Sequence, residues 1–176
     1  AADQNHPDSQ YNLGVIYYTG EYIKRNINIA IHYFSLAANQ NNPHAQYMLG
    51  IIYKTGKYIK RDINKAIHYY SLAADQNHPD SQYNLGVIYY IGEYIKRDIN
   101  KAIHYFLLAA NQNDPDAQCS LGIIYNTGKY IKQDIDKAIH YYSLAANQNH
   151  STAQYNLGVI YDSGECNKQD MSKAIY

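Results

Sequence analysis

The apolar positions of this chain return at a fixed distance. Leu13-Gly14 recurs as Leu49-Gly50, Leu85-Gly86, Leu121-Gly122 and Leu157-Gly158, a spacing of 36 residues each time. In register with it run Gly20, Gly56, Gly92, Gly128 and Gly164, then Ala30, Ala66, Ala102, Ala138 and Ala174, and the pairs Ala37-Ala38, Ala73-Ala74, Ala109-Ala110 and Ala145-Ala146. Self-similarity at a period of roughly 20 to 50 residues marks stacked supersecondary units, each too small to bury its own apolar face.

Within a unit the pattern predicts two helices, over about 7–19 and 27–40 in the first and every 36 residues thereafter. Pro7, Pro43, Pro79 and Pro115 suit a first helical residue, where no backbone donor is needed. Asp8, Asp80 and Asp116 follow them and complement the helix dipole. Gly20 and its equivalents suit a left-handed cap. A short loop such as GEYIKRD leads to Asn26, Asp62, Asp98, Asp134 or Asp170, each a good N-cap for the second helix. That helix is expected to end near Asn41, Asn77, Asn113 and Asn149, because asparagine tolerates a left-handed residue.

Gly14, Ala30 and Ala37 are small where two helices must approach, while Leu13, Tyr17 and Phe34 supply bulk between them. Stacked hairpins then give an all-α, right-handed α-solenoid of two-helix repeats with a groove along one side. The array is read as 1–176 in one piece: 1–8 as the tail of a preceding unit, full repeats over 9–44, 45–80, 81–116 and 117–152, and a truncated repeat over 153–176. It reads as part of a longer array. A second period lies on the first, since Phe34 and Phe106 alternate with Tyr70 and Tyr142, and Glu21, Glu93 and Glu165 with Lys57 and Lys129. The alternating charges are expected to pair between neighbouring units.

Residues 153–175, AQYNLGVIYDSGECNKQDMSKAI, show the motif A-x3-LG-x2-Y-x2-G, a short loop, then D-x2-KA, and the other units continue it to Y/F-x2-AA. This motif resembles the Sel-1-like repeat, a relative of the tetratricopeptide repeat, over the whole chain. The resemblance implies a non-catalytic scaffold that assembles protein complexes in signalling or quality control. Two departures stand out: asparagine replaces the family's usual glycine between units, and the cysteine pair per unit of secreted bacterial members is missing. Units containing DINKAIHYYSLAA are also similar to arrays attached to protein kinases of parasitic protists, so a regulatory array of a kinase is an alternative.

Lys+Arg and Asp+Glu both number 15, which gives no global attraction to polyanions or anionic membranes. No apolar run reaches the roughly 20 residues of a membrane span, and the first residues lack the regions of a signal peptide. Cys119 and Cys166 form no paired framework, which points to a reducing, cytoplasmic setting. His32, His68, His104 and His140 form a ladder of single histidines, a spacing that closes no zinc site; His44, His78 and His150 fall in turns. No nucleophile stands beside a recurring His and acid, so neither an enzyme nor a cofactor or metal is expected. Lys24-Arg25, Lys60-Arg61, Lys96-Arg97 and Lys132 make a basic stripe that keeps RNA binding, like glycan binding, as a rival to a protein partner; nucleic acid is not the expected one.

The candidate partner surface lies on the first helices. Tyr17 and its equivalents fall one turn after Leu-Gly and are assigned to the core. Tyr11, Tyr47 and Tyr83, with Val15, Ile51 and Val87 four residues on, are assigned to the groove, where tyrosine offers contact area with a polar tip. Tyr18, Lys54, Tyr90, Asn126 and Asp162 share that helical face and differ between otherwise similar units, as positions tuned to a protein or peptide partner would.

Overall fold

A computed structural model describes residues 6–163. Over these residues the chain is all helix and connecting loop: α1 (Pro7–Thr19), α2 (Ile27–Asn39), α3 (Pro43–Thr55), α4 (Ile63–Ala74), α5 (Pro79–Ile91), α6 (Ile99–Ala110), α7 (Pro115–Thr127), α8 (Ile135–Ala146) and α9 (Ser151–Ser163). The odd helices are the first of each hairpin and the even ones the second. Gly164, Glu165, Cys166, Asp170 and Ala174, which the periodicity assigns to the last repeat, lie outside the described residues.

The ends of the helices follow the local chemistry. Proline is the first residue of α1, α3, α5 and α7. Gly20, Gly56, Gly92 and Gly128 take φ of 72°, 61°, 66° and 58°, and Asn41, Asn77, Asn113 and Asn149 take 60° to 63°. Each asparagine closes the second helix in a Schellman-like turn, as where Asn42 N–H donates to Ala37 O at 3.1 Å and Asn41 N–H to Ala38 O at 3.0 Å. Asn26, Asp62, Asp98 and Asp134 cap the second helices, their side chains accepting from Ile29, Lys65, Lys101 and Lys137 N–H at 3.0–3.2 Å. Their own N–H groups return to Tyr17, Tyr53, Tyr89 and Tyr125 carbonyls at 3.0 Å, which fixes the loop between the two helices.

The helices form two compact units, Ala1–Leu85 and Gly86–Tyr176, with the division inside α5. In the first, α1 packs on α2, α2 on α3 and α3 on α4. Ala30, Phe34, Ala37, Leu49, Ala66, Tyr70 and Ala73 are fully buried there. In the second, α6 packs on α7, α7 on α8 and α8 on α9, around Phe106, Leu121, Ala138, Tyr142 and Ala145.

The tightest contact in each hairpin is a glycine under an aromatic ring. A β-carbon on Gly14 would lie 2.5 Å from Phe34 Cδ1, and one on Gly50 2.5 Å from Tyr70 Cδ1. In the second unit the same construction gives 2.6 Å from Gly86 to Phe106 and 2.5 Å from Gly122 to Tyr142. Carbon atoms rest at about 3.5–4.0 Å, so no side chain fits between helix and ring.

A polar row passed over in the sequence joins each hairpin to the next. Gln46 and Gln82 are buried and donate to Ala38 O and Ala74 O, both at 3.2 Å, in the last turn of the preceding second helix. In the second unit Gln118 and Gln154 donate in the same way to Ala110 O and Ala146 O at 3.3 Å. Their carboxamide oxygens accept in turn: Gln40 Nε2 donates to Gln10 Oε1 at 2.8 Å, Gln76 to Gln46 at 2.8 Å and Gln148 to Gln118 at 2.9 Å. A buried amide left unpaired would cost about 1–3 kcal/mol, so this row holds register between hairpins. Its signal in the sequence is the recurrence of Gln at 10, 46, 82, 118 and 154.

Replacing Gly86 with Leu is expected to lower the unfolding free energy by about 1–3 kcal/mol, by overpacking against Phe106. Gly158→Ala, where a β-carbon meets nothing within 4 Å, is the control and should be neutral or stabilising by up to about 1 kcal/mol. Urea midpoints measure both, and an unchanged midpoint in the Gly86 variant contradicts the packing.

Candidate functional site

The stripe assigned to the groove is half-buried and faces two ways. Tyr11 lies with its ring 5.9 Å from Phe34 of its own hairpin and 5.9 Å from His44 of the next. Tyr47 repeats this with Tyr70 at 6.0 Å and His78 at 4.8 Å. Tyr18 packs 6.4 Å from Phe34 and edge-on at 6.2 Å to Tyr58, in the loop of the next hairpin. Val15 lies against the same buried cluster, and Ile51 and Tyr83 are half-buried on α3 and α5. In the second unit Val87 and Tyr90 are half-buried on α5, Tyr90 edge-on to Tyr130 at 6.1 Å, while Asp162 is exposed near the end of α9. These residues therefore do packing work between hairpins as well as offering surface. Cys119, at the tyrosine position of α7, is a buried free thiol whose pKa burial raises to about 11.

The variable position on this face follows the second helix. Where the buried ring is Phe34 or Phe106, the position holds Tyr18 or Tyr90; where it is Tyr70 or Tyr142, it holds Lys54 or Asn126. The reason is visible in the second unit, where the polar side chains of Asn126 and Asn156 stand near the buried Tyr142 hydroxyl and oppose the rise in its pKa that burial causes. A phenol in the core needs a polar neighbour at its tip, and a phenylalanine does not. Part of the variation in the first helices is thus set from inside the fold.

The Tyr17 row lies at the margin of the core, Tyr17 and Tyr53 packing against the buried cluster of the first unit and Tyr125 against that of the second. Tyr17, Tyr53, Tyr89 and Tyr125 are half-buried and stack on Tyr33, Tyr69, Tyr105 and Tyr141 at 5.8–5.9 Å with planes within 12°. Lys65, Lys101 and Lys137 ammonium groups sit 5.0–5.1 Å above the Tyr53, Tyr89 and Tyr125 rings. His32, His68, His104 and His140 are exposed and stand edge-on to those second-helix tyrosines at 5.1–5.4 Å. Among the described residues no three His, Cys, Asp or Glu side chains converge as a metal site would require, and no helix is long and apolar enough to cross a membrane.

The loop charges act differently from the expectation of alternating pairs. Among the described residues neither Glu21 with Lys57 nor Glu93 with Lys129 forms an ion pair. Lys57 and Lys129 instead lie 5.1 Å above the Tyr58 and Tyr130 rings beside them. The link between loops is Arg25, which donates to the Tyr58 hydroxyl at 2.9 Å, and in the second unit Arg97, 4.7 Å above Tyr130. The arginines also cap the first helices: Arg25 donates to Thr19 O, Arg61 to Thr55 O, and Arg97 to Tyr90 O and Ile91 O. The arginines of the basic stripe are therefore structural.

Against known proteins, the Sel1 repeat profile matches residues 7–42, 43–78, 79–114, 115–150 and 151–176. The chain belongs to the Sel1 repeat family. Among solved structures it is similar to a protective antigen with an SLR fold from uropathogenic Escherichia coli, at 32% identity and a TM-score of 0.88 over 93% of this chain and 35% of that one. It thus spans about a third of that protein. A Sel1 repeat protein from Oxalobacter formigenes is 36% identical with a TM-score of 0.85 over 98% of this chain and 71% of the other. Cysteine-rich protein B from Helicobacter pylori is 25% identical, with a TM-score of 0.57 over 76% and 96%. Comparison with curated proteins gives no match. The all-α solenoid class of the Sel1 repeats is that expected from the sequence.

Histidines in these Sel1 repeats have roles that the sequence did not disclose. His44 is the second residue of α3, inside the helix, and is not in a turn. His78 and His150 precede α5 and α9 and act as N-caps, where Nδ1 accepts from Ser81 N–H at 3.3 Å and from Ala153 N–H at 3.2 Å. Asn42 and Asp114 do this at the equivalent positions, accepting from Ala45 and Ala117 N–H. An imidazole can accept there only with Nδ1 unprotonated.

Burial holds the His78 pKa below its ordinary value; Asp80 opposes this and His44 adds to it. Tyr47 and Ser81 complete its surroundings. Because the unfolded chain takes up the proton first, this stability is present above the ordinary histidine pKa of about 6.5 and is lost as pH falls through the lower folded value. Unfolding free energy measured from about pH 7 to pH 5 should therefore fall more steeply in the native chain than in His78→Asn, which keeps the cap without the titration. Parallel profiles would show that His78 is not the titrating cap.

Proposed function

We propose that this Sel1 repeat array is a scaffold or adaptor that holds a partner protein or peptide in the groove lined by its first helices. Repeats of this family generally mediate protein–protein interactions and form a non-enzymatic scaffold fold. The observation that carries the reading is the half-buried tyrosine row, in which Tyr11 and Tyr47 are held by rings of their own and the next hairpin and Tyr83 is likewise half-buried, so that each keeps part of its surface exposed. Rings already held by neighbouring hairpins lose little freedom on binding, so a ligand gains contact area at low ordering cost. The arginines that would serve a nucleic acid are engaged with helix carbonyls, which weighs toward a protein ligand. The buried free thiol of Cys119 accords with a reducing compartment, where we place the protein.

Affinity capture with the full chain, followed by mass spectrometry, would supply a partner. Changing Tyr83 and Tyr90, seven residues apart on α5, together to Ala should then weaken its binding by more than about 1 kcal/mol, as for central aromatic anchors. Helical content should be unchanged by circular dichroism. If that variant binds normally and His68→Ala or His104→Ala abolishes binding, the working surface is the opposite one.

A further inference from the structure

Tyr70 and Tyr142 occupy equivalent positions 72 residues apart, yet their hydroxyls end differently. In the second unit the amides of Asn126 and Asn156 stand near the Tyr142 hydroxyl and favour its ionised form against burial. In the first, the equivalent residues are Lys54 and Asn84, and they engage each other: Lys54 Nζ donates to Asn84 Oδ1 at 2.6 Å, while Asn84 Nδ2 donates to Asp80 O at 2.8 Å. The Tyr70 hydroxyl is buried and without a hydrogen-bond partner. A buried phenol left unsatisfied opposes folding.

Lys54 is itself out of balance. It is half-buried on the same helical face as Tyr47 and Ile51, its bond is to a neutral amide, and no ion pair involves it among the described residues. Burial lowers its pKa, with no opposing effect from an acid. Asp80, on the neighbouring helix, acts on Tyr47 and His78. A desolvated ammonium without an anion favours a ligand that brings one.

We propose that Lys54 is the receptor for a carboxylate on an extended acidic peptide of the partner, the peptide's apolar side chains lying against Tyr47 and Ile51. As Lys54 turns to the carboxylate it releases Asn84 Oδ1, which then accepts a hydrogen bond from the Tyr70 hydroxyl, the equivalent Asn156 of the second unit standing near Tyr142. Binding relieves both faults at once, so the free protein is held in a state that the ligand improves. One ammonium matches a monoanion; a phosphate dianion would leave charge over. This inference rests on the protein-binding reading above.

The test begins with selection of displayed random linear peptides on the immobilised full chain. Selected peptides are then titrated by calorimetry, alongside versions with Asp and Glu changed to Asn and Gln. The expected result is an acidic residue beside aromatic or aliphatic ones, about tenfold or greater loss on neutralising it, and a similar loss in Lys54→Asn. Lys54→Arg should retain binding. Lys54→Asn should also raise the thermal midpoint of the free chain, since it supplies the hydroxyl's missing partner, a change that loss of a surface charge alone would not produce. Selected peptides without acids, or with equal affinity for native and Lys54→Asn chains, would overturn the carboxylate site and leave the protein-binding reading standing. Inorganic phosphate competing better than acetate would overturn the monoanion. No enrichment over the unselected library would count against both.

Discussion

The fold depends on an atom that is missing. At Gly14, Gly50, Gly86 and Gly122 the absence of a β-carbon lets a ring of the second helix rest on the backbone of the first, at a separation that no other residue permits. That contact sets how closely the two helices cross, and so where every other side chain of the hairpin falls. Leu49 in the first unit and Leu121 in the second are fully buried on the same helices as these glycines. The stripe containing Tyr11 and Tyr47 is brought to the ring's outer edge, half in and half out. The hydroxyl of a buried tyrosine, where one replaces phenylalanine, ends near that same stripe, as the influence of Asn126 and Asn156 on Tyr142 indicates.

Apolar burial alone would let hairpins slide along one another, because it is not directional. Register comes from polar groups with one acceptable partner each. The buried glutamines reach the last carbonyls of the preceding helix, and a slip of one residue would strand an amide in the interior. Arg25 adds a second tie at the loops, through Thr19 O on one side and the Tyr58 hydroxyl on the other. Bonds of this kind also explain why the arginines of a positively charged stripe can be needed for folding rather than for a ligand.

Scaffold and candidate surface are therefore not separate parts. The tyrosines proposed to meet a partner also join one hairpin to the next through His44 and His78. Position 54 answers both to whatever lies outside and to the ring beneath it. Repeats diversifying such a surface are constrained by the core, and Lys54 departs furthest from that constraint, since it leaves the Tyr70 hydroxyl unmatched.

The period, the helix ends and the glycine contact were legible in the sequence because each is local or repeats identically. A left-handed Asn41, a capping Asp62 and a ring over Gly14 need only neighbours a few residues away or the facing helix of the same hairpin. The candidate stripe was legible as a helical face, by spacing alone. What the sequence left open depends on distance in space between residues about 30 or more apart: Gln76 on Gln46, Arg25 on Tyr58, Lys54 on Asn84. The Tyr17 row looked like core because it is aromatic and one turn from Leu-Gly, yet it stacks at the hairpin's edge beneath a lysine. Opposite charges at 21 and 57 suggested a pair, but they form none, and Lys57 lies over the ring beside it. Periodicity tells which residues share a face; only packing decides whether that face meets a neighbour or water, because the decision rests on atoms brought by another repeat.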